Sequence, residues 1–260
     1  RACCCRDGHA RALRMEILFS GTHLRLGLNR TGGRKLVVTF DPRDKNRRDF
    51  PVPRVSDRYA GAGFDQLHLS TRRPDWFIND DTSAVEAEMR ALTDAYDHIV
   101  LFGFSMGGFG ALRFADACRA DHLLLVSPFW SMDPDIVPLE TRFPEDLEFV
   151  RSPNAPIPLD RAAKVRGAIL VDPWHVDDMR QAKCVQAHFP QLRITRVAGS
   201  GHPASQLLRD AGRAAVVLDA ACQDSPDFTK AQALHRQLRG KKPAYQVARQ
   251  TRTKRREATR

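Results

Sequence analysis

Between residues 16 and 221, short apolar runs alternate with stretches of helical periodicity. Leu24, Leu26 and Leu28 are separated by Arg25 and Gly27, the period-two pattern of a strand with one covered face. Ile99-Val100-Leu101-Phe102 and Leu123-Leu124-Leu125-Val126 are instead apolar throughout, as in parallel strands covered on both faces. The pattern predicts eight strands, at 16–19, 24–28, 35–40, 66–70, 98–102, 122–126, 168–171 and 192–197. The first two form a hairpin about Ser20-Gly21-Thr22. After the capping residues Asp81-Thr82-Ser83, the residues Val85, Met89, Leu92 and Tyr96 recur at helical spacing. Further helices are expected after Met106, over 177–188 and from Pro203 towards Ala221. Strands alternating with helices imply right-handed crossovers. The predicted fold is therefore α/β, a doubly wound, mostly parallel sheet with helices on both faces.

Two segments break the rhythm. Residues 128–158 hold seven of the 16 prolines together with Phe129, Trp130, Phe143 and Phe149, and read as a short lid-like insertion after a central strand. From Asp224 the apolar density falls, and 224–260 reads as a basic, disordered tail with one helix around 231–238. The net charge of +10 belongs to that tail: residues 229–260 carry 11 Lys/Arg against the single acid Glu257, and residues 1–228 are neutral. A neutral body argues against specific nucleic-acid binding, while the tail is able to contact an anionic surface. Residues 1–14 precede Met15 with a Cys-Cys-Cys run and read as a leader foreign to the fold, leaving 15–223 as the folded domain. There is no apolar run of membrane-spanning length, no secretory h-region and no C-x-x-C pair, so the expected compartment is the cytoplasm.

The candidate chemistry lies in Gly103-Phe104-Ser105-Met106-Gly107, directly after the fifth predicted strand and before a helix of small residues. A serine at a tight strand-to-helix turn needs a strained backbone, and flanking glycines remove the clashes that such a turn creates. Its hydroxyl needs a general base. His202 qualifies, in Gly199-Ser200-Gly201-His202-Pro203 between the last strand and last helix, with His175 as the rival. A carboxylate after the seventh strand would orient the imidazole. Asp172, Asp177 and Asp178 lie in that region; Asp172 is the first choice, at the strand's end, and Asp178 the alternative.

This glycine-serine-glycine turn, with the order Ser…Asp…His, resembles the nucleophile elbow of the α/β-hydrolase superfamily, over about residues 15–221. Asp75-Trp76-Phe77 and Ser127-Pro128 through Val137-Pro138 are similar to a bacterial subgroup resembling hydrolases encoded near polysaccharide enzymes. The resemblance implies an esterase-like serine hydrolase acting through an acyl-enzyme on a small-molecule or carbohydrate ester. It places the oxyanion donors at the backbone of Met106 and of Phe40 or Asp41, since Pro42 has no amide. The same triad would serve an acyltransferase to a sugar hydroxyl, and a catalytically silent fold would serve as a binding protein. Trp76, Phe77 and Trp130 are candidate pocket residues, and Glu140 with Arg142 reads as a solvated ion pair. Asn79-Asp80-Asp81 reads as helix capping rather than a cation site, so neither metal nor cofactor is expected.

Overall fold

The computed structural model describes residues 15–152, 155–241 and 243–258. The expected leader, 1–14, lies outside the described residues. In chain order the elements are β1 (Glu16–Ser20), β2 (Leu24–Asn29), β3 (Lys35–Phe40), α1 (Asp57–Gly61), β4 (Phe64–Thr71), α2 (Thr82–Thr93), β5 (His98–Phe104) and α3 (Met106–Arg113). There follow β6 (His122–Val126), α4 (Leu147–Val150), β7 (Arg166–Val171), α5 (Val176–His188), β8 (Leu192–Arg196), α6 (Gln206–Asp210), α7 (Ala215–Leu218), α8 (Thr229–Arg239) and α9 (Pro243–Ala258).

All eight strands join one sheet in the order β1-β2-β4-β3-β5-β6-β7-β8. The pairings β1·β2 and β2·β4 are antiparallel, and the other five are parallel. Side-chain alternation divides the core between two layers. Leu36, Val38, Leu101, Leu123 and Val171 face the side that holds Val85 and Met89 of α2, Leu112 of α3 and Val185 of α5. Val37, Val100, Leu124 and Leu170 face the side that holds Tyr59 of α1, Leu208 of α6, Val217 of α7 and Ala231 of α8. Helices thus cover both faces, and the strands that are apolar throughout are the ones buried on both sides. This is the α/β-hydrolase fold.

Three expectations about elements are corrected. The single helix expected from Pro203 towards Ala221 is broken into α6, α7 and a 3-10 turn at Asp219–Cys222, because Gly212 turns the chain at φ +68°. The described residues after Asp224 hold the helix expected around 231–238, as α8, and a second, α9, where a disordered tail was expected. Phe228, Ala231 and His235 are buried against the sheet, and α8 contacts β8, α6 and α7. Helix α9 then reaches back, stacking Tyr245 on Trp174 with ring centroids 5.0 Å apart. Asp81 occupies the position before α2 but makes no cap bond there; its carboxylate accepts from the amides of His23 (2.6 Å) and Leu24 (3.0 Å), closing the β1–β2 turn.

The part of the lid-like insertion from Phe129 to Asp146 packs onto the body of the fold as a buttress. Phe129 and Phe143 pack on Trp76, and Asp146 accepts from Trp76 Nε1 at 2.8 Å and from Arg43 Nε at 2.8 Å. Trp76 and Phe77 are wholly buried, so both are core residues and not pocket walls. They hold left-handed backbone angles, φ 57° and 59°, at a cost of about 1 kcal/mol or more each. Asp75 supports the strained pair by accepting from the Phe77 amide at 3.1 Å and from Thr71 Oγ1 at 2.7 Å.

Candidate active site

Ser105 stands between β5 and α3 at φ 50°, ψ −117°, a region that disfavours L-residues. The glycines around it are there for space. A Cβ on Gly103 would overlap the Gly107 carbonyl, and one on Gly107 would lie 3.0 Å from the Phe40 carbonyl oxygen. One on Gly108 would lie 2.9 Å from Pro128 Cβ. The Ser105 carbonyl accepts from the Gly108 and Phe109 amides, so the helix starts at once and the hydroxyl projects beyond the sheet's C-terminal edge.

The structure brings Ser105, His202 and Asp178 together. His202 Nε2 lies 3.0 Å from Ser105 Oγ, and His202 Nδ1 lies 2.8 Å from Asp178 Oδ2. The Asp178 side chain is 1% exposed and that of His202 24%, so the carboxylate is screened while the imidazole keeps an open edge. Burial alone would push the Asp178 carboxyl up. Hydrogen bonds from His202 and Ser127 and the charges of His202 and His175 outweigh it and hold the carboxyl below the ordinary aspartate range.

Asp172, the first choice for the third residue, is corrected to Asp178. The Asp172 carboxylate accepts from the amides of Trp174 (2.8 Å), Gly199 (3.0 Å) and Gly201 (2.8 Å). It is consumed in tying the loop after β7 to the loop that carries His202. Asp178, the third residue of α5, stands one turn above the helix start, where its side chain reaches the imidazole. The helix cap is supplied by His175, whose Nδ1 accepts from the Asp178 amide at 3.3 Å. His175 therefore borders the acid, and its ring centroid is 5.7 Å from that of His202.

The Met106 amide opens α3 beside Ser105, where the first N–H groups of a helix lack intrahelical acceptors. Asp41 is corrected as a donor because its amide is bonded to the Leu69 carbonyl at 3.2 Å, within the sheet. Its carboxylate points away from the serine, pairing with Arg47 and lying 3.3 Å from His68 Nε2. Phe40 is the last residue of β3, its ring packed on Phe77 and Phe114. Trp130 does line a cavity, of about 350 Å³, with Phe109, Ile136, Ile157 and His188. Its indole stacks on the His188 ring at 4.0 Å. Ser105, His202 and Asp178 are not among its described lining residues, although Phe109, whose amide bonds the Ser105 carbonyl, is.

Two contributors escape sequence reasoning. Ser127, at the end of β6 with φ 46°, accepts from the Ala204 amide at 3.0 Å, joining the strand end to the His202 loop. Arg142 keeps the expected pair with Glu140, but Glu140 is buried rather than solvated, and the guanidinium also donates to Asp178 Oδ1 at 2.6 Å. Both stand out in the sequence, Ser127 within Ser127-Pro128 and Arg142 beside Glu140, but nothing there points to the His202 loop or to Asp178.

No protein-family model matches the chain, and no curated protein matches it. Among solved structures, the capsule O-acetyltransferase of Neisseria meningitidis serogroup A superposes with a TM-score of 0.53 at 12% identity, over 82% of this chain and 97% of that one. A mutant of the same enzyme in complex with CoA gives 0.53 at 12% identity, over 78% and 94%. An esterase of Pyrococcus furiosus gives 0.47 at 13% identity, over 79% and 91%. At these identities the likeness is one of fold.

Proposed function

We propose that the chain is a serine hydrolase that cleaves an acyl ester through Ser105, His202 and Asp178. The observation that carries this reading is the continuous relay from Ser105 Oγ through both nitrogens of His202 to the buried Asp178 carboxylate. In the first step the oxygen of Ser105 attacks the ester carbonyl while its proton passes to His202 Nε2, and Asp178 stabilises the imidazolium through Nδ1–H. The tetrahedral intermediate places its negative oxygen at the Met106 amide. With the Asp41 amide engaged and Pro42 lacking one, the next N–H along that loop belongs to Arg43, our candidate for the second donor. Collapse breaks the bond to the alcohol, which leaves with the proton from Nε2. Water then attacks the acyl-enzyme with His202 again as base, releasing the acid and restoring the serine.

An acyl transfer differs only in the last acceptor, a sugar hydroxyl in place of water. The fold shared with a capsule O-acetyltransferase keeps that reading as the second one. No helix among the described residues is long and apolar enough to cross a membrane. The test is labelling by a fluorophosphonate probe together with p-nitrophenol release from acetyl and longer acyl esters, with Ser105→Ala as control. Folded protein that takes no label and cleaves no ester overturns the enzyme reading in favour of a binding protein. Esters consumed faster when a sugar acceptor is added, with acylated sugar as product, favour transfer over hydrolysis.

A further inference from the structure

Asp178 has more partners than a triad acid requires. Oδ2 faces His202 Nδ1, while Oδ1 takes Arg142 Nη1 at 2.6 Å and lies 3.2 Å from His175 Nδ1. Arg142 is not a passing surface cation. Its Nε and Nη2 form a two-point pair with Glu140, at 2.9 and 2.6 Å, and its guanidinium lies over the Phe129 ring, 4.2 Å from the centroid. Glu140 is in turn held by Gln181 Nε2 at 2.9 Å, and Gln181 Oε1 accepts from the Trp130 amide at 2.6 Å. Asp178 and Gln181 are three residues apart on α5 and share a face. Arg142 and Glu140 thus dock the 128–158 segment onto that face, directly behind the carboxylate that meets His202.

A carboxylate held only through one oxygen is able to swing about its Cβ–Cγ bond. A guanidinium fork anchored on Glu140 and stacked on Phe129 has little freedom, so it fixes the plane of its partner. It also places a permanent positive charge near the acid. We propose that Arg142 is a positioning residue for the Asp178–His202 couple, fixing the orientation of the carboxylate and moderating the negative charge that His202 meets as it takes the serine proton. This rests on the triad reading above. The groups facing Asp178 are His202 from its loop, His175 from the start of α5, Ser127 from the end of β6 and Arg142 from the segment after it, with Glu140 partly offsetting the arginine.

The experiment compares wild type, Arg142→Gln and Arg142→Lys in kcat and KM for p-nitrophenyl acetate across pH. Thermal melting and the proton NMR signal of the His202 Nδ1–H bridging to Asp178 are measured alongside. Arg142→Gln should lower kcat on the order of 10-fold with KM little changed. Without the nearby cation the imidazolium is favoured, so the acid limb of kcat/KM should move up by about half a pH unit. Arg142→Lys should return the acid limb to its wild-type position while kcat stays reduced, since a lysine keeps the charge and loses the fork. If Arg142→Gln melts lower but leaves the acid limb and the bridging proton unmoved, Arg142 is a packing pair only; if Arg142→Lys retains full kcat, the guanidinium fork does not orient the carboxylate and the positioning role is overturned. If wild type itself is inert towards ester and probe, the triad reading fails; the bridging proton still reports, without turnover, whether Arg142 holds Asp178. Should Arg142→Gln not fold, the Arg142→Lys arm decides.

Discussion

The turn at Gly103–Gly107 and the segment 128–158 border the same group of side chains but are built on different principles. The turn is held first by sterics among residues close in sequence, Gly103 against the Gly107 carbonyl and Ser105 strained between a strand and a helix that begins immediately, with Phe40 and Pro128 closing on Gly107 and Gly108 from outside. The segment after β6 takes its shape from partners far along the chain. Asp146 reaches Trp76 and Arg43, Arg142 reaches Asp178, and Glu140 reaches Gln181. A locally determined element fails when one atom is added. A network of distant pairs fails in steps, with neighbouring changes that do not add.

The largest effect expected is that of Asp178→Asn, which removes the charge opposite His202 Nδ1 and permits the wrong tautomer. Steady-state ester hydrolysis should show kcat reduced by on the order of 10³- to 10⁴-fold, with a folded protein by circular dichroism. Retention of wild-type kcat would return the acid's role to Asp172.

Next comes Gly103→Ala. Its methyl group has to displace the Gly107 carbonyl, and denaturant melts should show a loss of about 3 kcal/mol or more, or no folded protein. A stable Gly103→Ala variant would show that the turn is less local than the contrast claims.

Asp172→Ala sharpens the comparison from the other side. It leaves three amides, of Trp174, Gly199 and Gly201, without their acceptor, so stability should fall by about 1–3 kcal/mol. The loss of kcat should be far smaller than for Asp178→Asn, because the loop loosens while the relay keeps its members.

Smallest at neutral pH is the effect of His235 of α8, wholly buried, whose two ring nitrogens have no partner among the described residues. Burial, followed by the charge of Arg239, pushes its imidazole from the ordinary 6.5 down to about 4. The unfolded chain therefore binds the proton first. Stability is full above pH 6.5 and is lost as pH falls towards 4, by up to about 1.4 kcal/mol per pH unit. His235→Leu should flatten that acid side in urea titrations between pH 4 and 7, with little change at pH 8. An unchanged acid slope would mean that other groups, such as the buried His122, carry it.

The eight strands and the position of Ser105 and His202 were legible because they depend on local facts. Period-two and continuous apolar runs report which face is covered, and the glycine at 103 reports a turn too tight for a side chain. The same local reading failed at Trp76 and Phe77. An aromatic pair after a strand looks alike in sequence whether it lines a pocket or fills the core; here Phe109, Phe129 and Phe143 enclose Trp76, and Phe40 and Phe114 pack on Phe77. After Asp224 it found the helix around 231–238 but not its docking, since low apolar density concealed that Phe228 and Ala231 suffice to seat that helix on the sheet.

By itself the chain's order of residues determined the alternation of strand and helix, the strained serine and the histidine loop, since each is a matter of nearest neighbours along the backbone. Only the tertiary structure decided which aspartate meets His202. Asp172 and Asp178 are six residues apart and chemically identical, and the choice depends on where the amides of Gly199 and Gly201 and the guanidinium of Arg142 come to lie. Those partners approach from 27 to 36 residues away in sequence, and only a folded sheet brings them within hydrogen-bond range.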